Sequence, residues 1–356
     1  MSATTATARI DGAESRAQSP SRLAWRRLRR DRAALVSAGF LVVLVFAVLG
    51  GAPLLGRIVG HGPNDFFPYA VDVSLKPVGP WSYVADTTMV PGIDPKTFQQ
   101  IPPPAGTSKT LLVLGADGPL GRDELQRLLY GGRVSLTVAV GATLLALLIG
   151  TTLGTLAAFF GGWIDSVISR FTELVMAFPV LLLAIVLGST VAGKLNGVTL
   201  GGALNQGVLA LILLIGLFTW FYPARIVRSL ILSLRAREFV EAAEMIGASD
   251  ARIMRTHLFP HVVPALAVWG TLAVATNIML EAGITFLGVG IKLPTTSWGS
   301  MLAATWGTVL SPLPYNPHSF SPWLTILPSA MIFVTVLALT LLGEGLREAF
   351  DPRGVQ

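Results

Sequence analysis

Cysteine is absent from the 356-residue chain, which removes disulfides, thiolate metal ligands and a thiol nucleophile together. Charge is scarce: 13% of residues are Asp, Glu, Lys or Arg, against about 25% in an ordinary soluble domain. No G-x-x-x-x-G-K-[ST] loop occurs; Gly193-Lys194 is followed by Leu195, so the chain has no P-loop to cradle a nucleotide phosphate. No serine stands in a G-x-S-x-G elbow. The histidines (His61, His257, His261, His318) are scattered. His257 and His261 are four apart, yet the intervening Leu258-Phe-Pro260 lacks the glutamate of a zinc-hydrolase helix. Carboxylates are also missing from the middles of the long apolar runs. Glu173, Glu281 and Glu344 fall near run ends, where a side chain reaches water cheaply. That argues against a carrier with coupling-ion sites at mid-membrane.

What is present is apolar surface. Hydrophobic residues make up 52% of the chain and mean hydropathy is +0.65, which reads as an integral membrane protein. Six runs approach the roughly 20 residues needed to cross a bilayer: Ala33 to Leu55, Val134 to Phe160, Leu174 to about Gly193, about Val208 to Ala224, Val262 to about Leu280, and Trp323 to Gly343. The expected fold class is therefore an all-α membrane protein of six transmembrane helices. Gly150 and Gly154, four apart, suit close helix packing in lipid. Pro179 predicts a kink in the third run, and Pro264 is a second candidate bending point.

The sequence divides at these runs. Residues 1–32 form an Arg-rich tail, 33–55 the first span, and 56–133 a long Pro-, Gly- and aromatic-rich insertion with short strands expected around Thr110 to Leu114. Residues 134–346 form a five-helix core containing a polar loop, 229–260, and 347–356 a C-terminal tail. Within the first tail, Leu23, Trp25 and Leu28 stand among Arg22, Arg26, Arg27, Arg29 and Arg30. This pattern suits a solvated positive anchor, or a helix lying on an anionic leaflet. With the N-terminus inside, the cytoplasmic segments hold 17 of the 26 Lys and Arg residues, in keeping with the positive-inside bias. Both termini and the polar loop are then expected in the cytoplasm, and the 56–133 insertion outside.

The loop carries the most charge-dense helix-forming stretch. Phe239, Ala242, Ala243 and Ile246 follow an i, i+3, i+4, i+7 rhythm and share one helix face, with Glu238, Glu241 and Glu244 beside it. Gly247 stands at a stop position, and Ser249 or Asp250 can cap a second helix that is expected to end at Pro260.

Glu241-Ala-Ala243, three residues, Gly247, nine residues and His257-Leu-Phe-Pro260 together resemble the EAA motif of ABC importer permeases, EAA-x3-G-x9-I-x-LP, with His257 at the usual Ile position and Phe259 at the usual Leu. The wider chain resembles the peptide and nickel branch of that family, specifically the C-type permease of dipeptide and oligopeptide importers. The matching stretches are Leu120-Gly-Arg-Asp123, Leu129 to Leu136, Gly161-Gly-Trp-Ile-Asp165, Ala177-Phe-Pro179, Glu281 with Phe286-Leu-Gly288, Ser297-Trp-Gly299 and Gly343 to Pro352. The run Leu114 to Asp123 departs from the family's pattern, being one residue longer and lacking its His and Thr.

The resemblance implies a type I importer (MetI-like) permease fold in a bacterial cell membrane, without catalysis or cofactor of its own, since ATP and Mg would be bound by partner ATPases. It implies four kinds of partner: a second homologous permease, one or two cytoplasmic ABC ATPases, an extracytoplasmic solute-binding protein, and membrane lipid. Nucleic acid is not among them. It also implies that Phe239, Glu241, Ala242, Ala243, Ile246, Gly247 and Pro260 form the ATPase-docking segment. Peptides are the expected solute, with a nickel chelate or another small solute as the alternative. A membrane enzyme built on the insertion, or a stand-alone carrier, would need motifs that the sequence lacks.

Overall fold

The computed structural model describes residues 20–195, 207–309 and 321–351. Most of the N-terminal tail, residues 352–356 and His318 lie outside the described residues. Among the described residues, five helical segments can cross a membrane by length and composition: Arg32–Val59, Glu124–Phe160, Val208–Arg235, Asp250–Phe286 and Trp323–Phe350. A bent pair makes six if it counts as one broken span.

A short helix α1 (Pro20–Leu28) precedes α2 (Arg32–Phe46), whose first turn is capped by Asp31 accepting from the Ala33 and Ala34 N–H groups. A π-turn (Ala47–Gly51) carries α2 into α3 (Ala52–Val59). The insertion then folds on its own small core of Phe67, Ala70, Val84, Leu112 and Ala116. Strand β1 (Ser82–Ala85) pairs antiparallel with β2 (Lys109–Leu112), within the stretch where short strands are expected. The two-residue strands β3 (Ala116–Asp117) and β4 (Arg122–Asp123) pair next to the following helix.

That helix, α4 (Glu124–Phe160), starts ten residues before the apolar run at Val134 because Asp123 caps it, accepting from the Leu125 and Gln126 N–H groups at 2.8 and 3.2 Å. Burial pushes the Asp123 carboxyl up, while the same two N–H groups pull it down. Asp117 ties the insertion to α4 by pairing with Arg122 at 2.7 Å and with buried Arg127 at 2.6 Å.

Helix α5 (Gly162–Met176) fills the stretch between the second and third apolar runs and the start of the third, and α6 (Val180–Leu195) follows. The third apolar run is not one kinked helix from Leu174: the chain breaks between Met176 and Val180 and turns through 78°. Pro179 has no N–H to continue the ladder, and its ring disfavours helical geometry at Phe178. Helices α7 (Val208–Leu217) and α8 (Phe221–Arg235) form the next span, which continues eleven residues past Ala224. Helix α9 (Glu238–Met245) and the helical turn α10 (Asp250–Arg252) lead through a π-turn (Ile253–Leu258) into α11 (Phe259–Phe286).

Pro260 therefore does not end the second helix. It occupies the first turn of α11, where a missing N–H is tolerated, and the wider π-turn before it absorbs the register change. Helix α12 (Trp298–Val309) is shorter than a span over its described residues, and α13 (Trp323–Phe350) closes the bundle.

Helix α4 is the hub, packing on α7, α8 and α11, while α13 packs on α2 and α11. The expected small-residue contact holds. A Cβ on Gly150 would lie 2.4 Å from the Trp220 carbonyl oxygen, and one on Gly154 2.4 Å from that of Ala224. The backbones of α4 and α8 touch there.

Candidate functional site

The segment singled out in sequence folds as a short lever fastened to the spans. Helix α9 begins after Arg237, with Glu238 and Glu241 in its first turn, where the helix dipole favours negative charge. Its end is a Schellman closure: the Gly247 N–H donates to the Glu244 carbonyl at 2.9 Å and the Ala248 N–H to the Ala243 carbonyl at 3.0 Å. Gly247 sits at φ 77°, a left-handed conformation that favours glycine, and a Cβ there would meet open space. Backbone shape, not crowding, selects the glycine. Ser249 then stands at the N-cap position of α10 without a side-chain cap bond.

The expected apolar face is split in two. Val240 and Ala243 turn inward and pack in a cluster with Ala158 of α4, Val227 and Ile231 of α8, Ile253 and Leu258 of the π-turn, and Val262 and Leu266 of α11. Ala243 thus belongs to the anchor, not to the outer face. Outward lie Phe239, Ala242, Met245 and Ile246, with Met245 82% and Ile246 86% exposed. Glu241 and Glu244 are exposed beside them, and Pro260 is exposed one helix away.

Met245 escapes the heptad rhythm, but it lies next to Ala242 on the helical wheel. Phe239 is half covered: its ring lies 6.4 Å from that of His257 and 5.9 Å from that of His261, so the histidine pair borders an aromatic ring. Among the described residues, no group of three or more His, Cys, Asp or Glu is placed to hold a metal.

Two further links fix the root of the lever. The Arg235 guanidinium donates to the Phe159 carbonyl at 2.9 Å and lies over the Phe159 ring, joining the C-terminal ends of α8 and α4. The Arg228 guanidinium grips Asp165 of α5 through two nitrogens, holding α5 against α8. Helix α9 is thus packed against α4, α8 and α11, and α8 in turn is tied to α4 and α5.

At the other end of the bundle, Glu281 contradicts its reading as a carboxylate near water. It is fully buried, accepting from Ser135 Oγ at 2.8 Å and Thr285 Oγ1 at 2.9 Å. Ser135 in turn accepts from the Trp298 N–H, and Trp298 Nε1 donates to the Leu128 carbonyl at 2.9 Å. The network joins α4, α11 and α12.

Comparison with known proteins finds relatives of this chain. The family described as binding-protein-dependent transport system inner membrane component matches residues 150–355, and the N-terminal TM domain of oligopeptide transport permease C matches residues 19–77. A Brucella ovis protein described as a peptide permease is 37% identical over 239 residues, covering 67% of this chain and 72% of that one. The oligopeptide transport system permease protein OppC of Haemophilus influenzae is 35% identical, covering 65% and 68%. The glutathione transport system permease protein GsiD of Escherichia coli is 30% identical over 329 residues, covering 92% and 89%. In the inward-facing MetNI methionine ABC transporter, a chain superposes with a TM-score of 0.46 at 18% identity, covering 63% of this chain and 96% of that one. With half the sequence matched by one family and its N-terminal span by a second, the chain belongs to the inner-membrane components of binding-protein-dependent transport systems.

Proposed function

We propose that this chain is the C-type permease of an ATP-driven importer of di- and oligopeptides, and that α9 is the arm through which partner ATPases drive it. The chain is a non-catalytic transport subunit of the ABC importer class, and its multi-pass spans place it in the inner membrane. The finer parts of the proposal are the pairing with a second homologous permease, the docking of one or two cytoplasmic ATPases that bind ATP and Mg, the cytoplasmic position of both termini, and capture of solute from an extracytoplasmic binding protein by the insertion. Relatives named for peptides and for glutathione support a peptide-like solute.

The observation that carries the reading is the two-faced α9. Its inner face, Val240 and Ala243, is locked to α4, α8 and α11, and its outer face presents Phe239, Ala242, Met245 and Ile246 to whatever lies beyond the membrane. An apolar helix face rimmed by charge fits the helix-in-groove mode of recognition. ATPase closure would then move α9 as a rigid body and tilt the spans between inward- and outward-open arrangements.

Ile246→Asp tests this. The side chain is 86% exposed, so the fold should tolerate the charge. A desolvated anchor is worth about 2 kcal/mol or more at an interface, so peptide uptake by the reconstituted complex should fall by at least tenfold while the permease keeps its expression level. Uptake at the wild-type rate would remove α9 as the docking arm.

A further inference from the structure

Helix α1 is not part of the bundle, yet it is held firmly at its edge. Ala24 is buried and Leu28 is half-buried. The corner joining α1 to α2 is pressed onto α13: a Cβ on Gly345 would lie 2.5 Å from Ala34 Cβ, 2.7 Å from Asp31 Oδ2 and 3.6 Å from Leu28 Cδ1. The Arg27 guanidinium donates to the Asp351 carbonyl at 2.6 Å, just beyond the end of α13. One side of α1 is thereby used up against the protein.

The other side carries Trp25, Arg26, Arg29 and Arg30, all exposed, and Arg32 is exposed at the start of α2. The Arg29 guanidinium lies 4.9 Å from the centroid of the Trp25 ring. Arg29, Arg30 and Arg32 make no ion pair with a carboxylate among the described residues. The next element, α2, is itself a span, so α1 is tethered by three residues to the membrane surface.

From this arrangement we infer that α1 is an interfacial helix whose outer face binds the headgroup phosphates of anionic phospholipid. Tryptophan prefers the headgroup level, where its ring is buried and its N–H is wet. Arginine matches a phosphate with two parallel donors. The cytoplasmic leaflet supplies the negative charge if the N-terminus is inside, the orientation proposed above. Because α1 clamps α13 through Gly345 and Arg27, a bound headgroup also fixes the cytoplasmic end of the last span.

The test uses the whole reconstituted complex in nanodiscs, where both leaflets are accessible and orientation cannot bias the result. Spin-labelled phosphatidylglycerol and phosphatidylcholine of equal chain length are compared for association with the protein boundary. Each arginine near an anionic surface strengthens attraction about fivefold. The preference for phosphatidylglycerol should therefore fall by fivefold or more in the R29Q/R30Q/R32Q variant and survive in R29K/R30K/R32K. If the glutamine variant fails to assemble, the wild-type complex at about 1 M salt serves instead, since screening there acts within ~3 Å. An unchanged preference in the glutamine variant or in high salt overturns the inference, as does equal association of both lipids with wild type. Loss of the ATPase from the glutamine variant with lipid preference intact would also overturn it, by making α1 a protein-docking helix.

Discussion

Ile246 and Ala243 show how far a periodic pattern carries at the level of single residues. The rhythm groups Phe239, Ala242, Ala243 and Ile246 within an arc of about 100°. It does not say on which side of that arc the rest of the protein lies. The fold places the spans on the Val240 side, so Ala243, at the edge of the arc, goes inward and Met245 joins the outer set. Glu281 departs from the sequence expectation for a related reason. Its position near a run end suggests access to water, but α12 covers that end and the carboxyl accepts from the hydroxyls of Ser135 and Thr285, with that of Ser297 beside them. Removing one of them should be costly. Ser135→Ala strips a donor from Glu281 and an acceptor from the Trp298 N–H in a fully buried place, at about 1–3 kcal/mol. Thermal unfolding of the solubilised complex checks this; an unshifted midpoint would mean that water replaces the hydroxyl.

At the scale of elements, the sequence announced what depends on composition and concealed what depends on neighbours. The apolar runs, the break at Pro179, the short strand near Thr110 and the Gly150/Gly154 contact are all visible in residue types. Pro260 looked like a stop because proline ends isolated helices, yet a π-turn before it lets one helical segment run from Asp250 to Phe286. Helix α12 gave no span-length signal. Its trace was indirect: Gly131 and Gly132 leave room for Trp298, whose Cζ2 would lie 2.6 Å from a Cβ on Gly132.

The glycine contacts between α4 and α8 make a sharp prediction. Gly154→Ala forces a Cβ onto the Ala224 carbonyl oxygen, and overpacking of this kind costs about 1–3 kcal/mol. Gly39→Ala in α2, where a Cβ meets nothing within 4 Å, should be close to neutral. The two variants' unfolding temperatures, measured side by side, should separate; equal values would mean that α4 and α8 are not packed backbone to backbone.

Across the whole molecule, the chain joins an exposed loop surface at one end to the α9 arm at the other through one hub helix, α4. That surface is the loop between β1 and β2, where Met89, Val90, Ile93, Phe98 and Ile101 are exposed, and where Phe98 holds a left-handed φ of 55°; the proposed orientation puts it outside. Replacing Thr87–Thr107 by a two-residue turn keeps the β1–β2 ladder, which ends at the Ala85–Lys109 pair. Affinity for the binding protein should drop at least tenfold while the complex still assembles; unchanged affinity would place the contact elsewhere. Sequence could mark this insertion as ordered from its aromatics, but not find its pinning to α4, because Asp117, Arg122 and Arg127 meet only once β3 and β4 have paired.

The absence of native cysteine makes the docking role of α9 directly measurable. Ile246→Cys and Val240→Cys, each reconstituted with its partners and treated with a short cysteine-to-lysine cross-linker, place one probe on the outer face of α9 and one in the anchor. Ile246→Cys should give an adduct between the permease and an ATPase subunit, and Val240→Cys none. Ready labelling of Ile246→Cys by a soluble thiol reagent with no ATPase adduct in the assembled complex would contradict it.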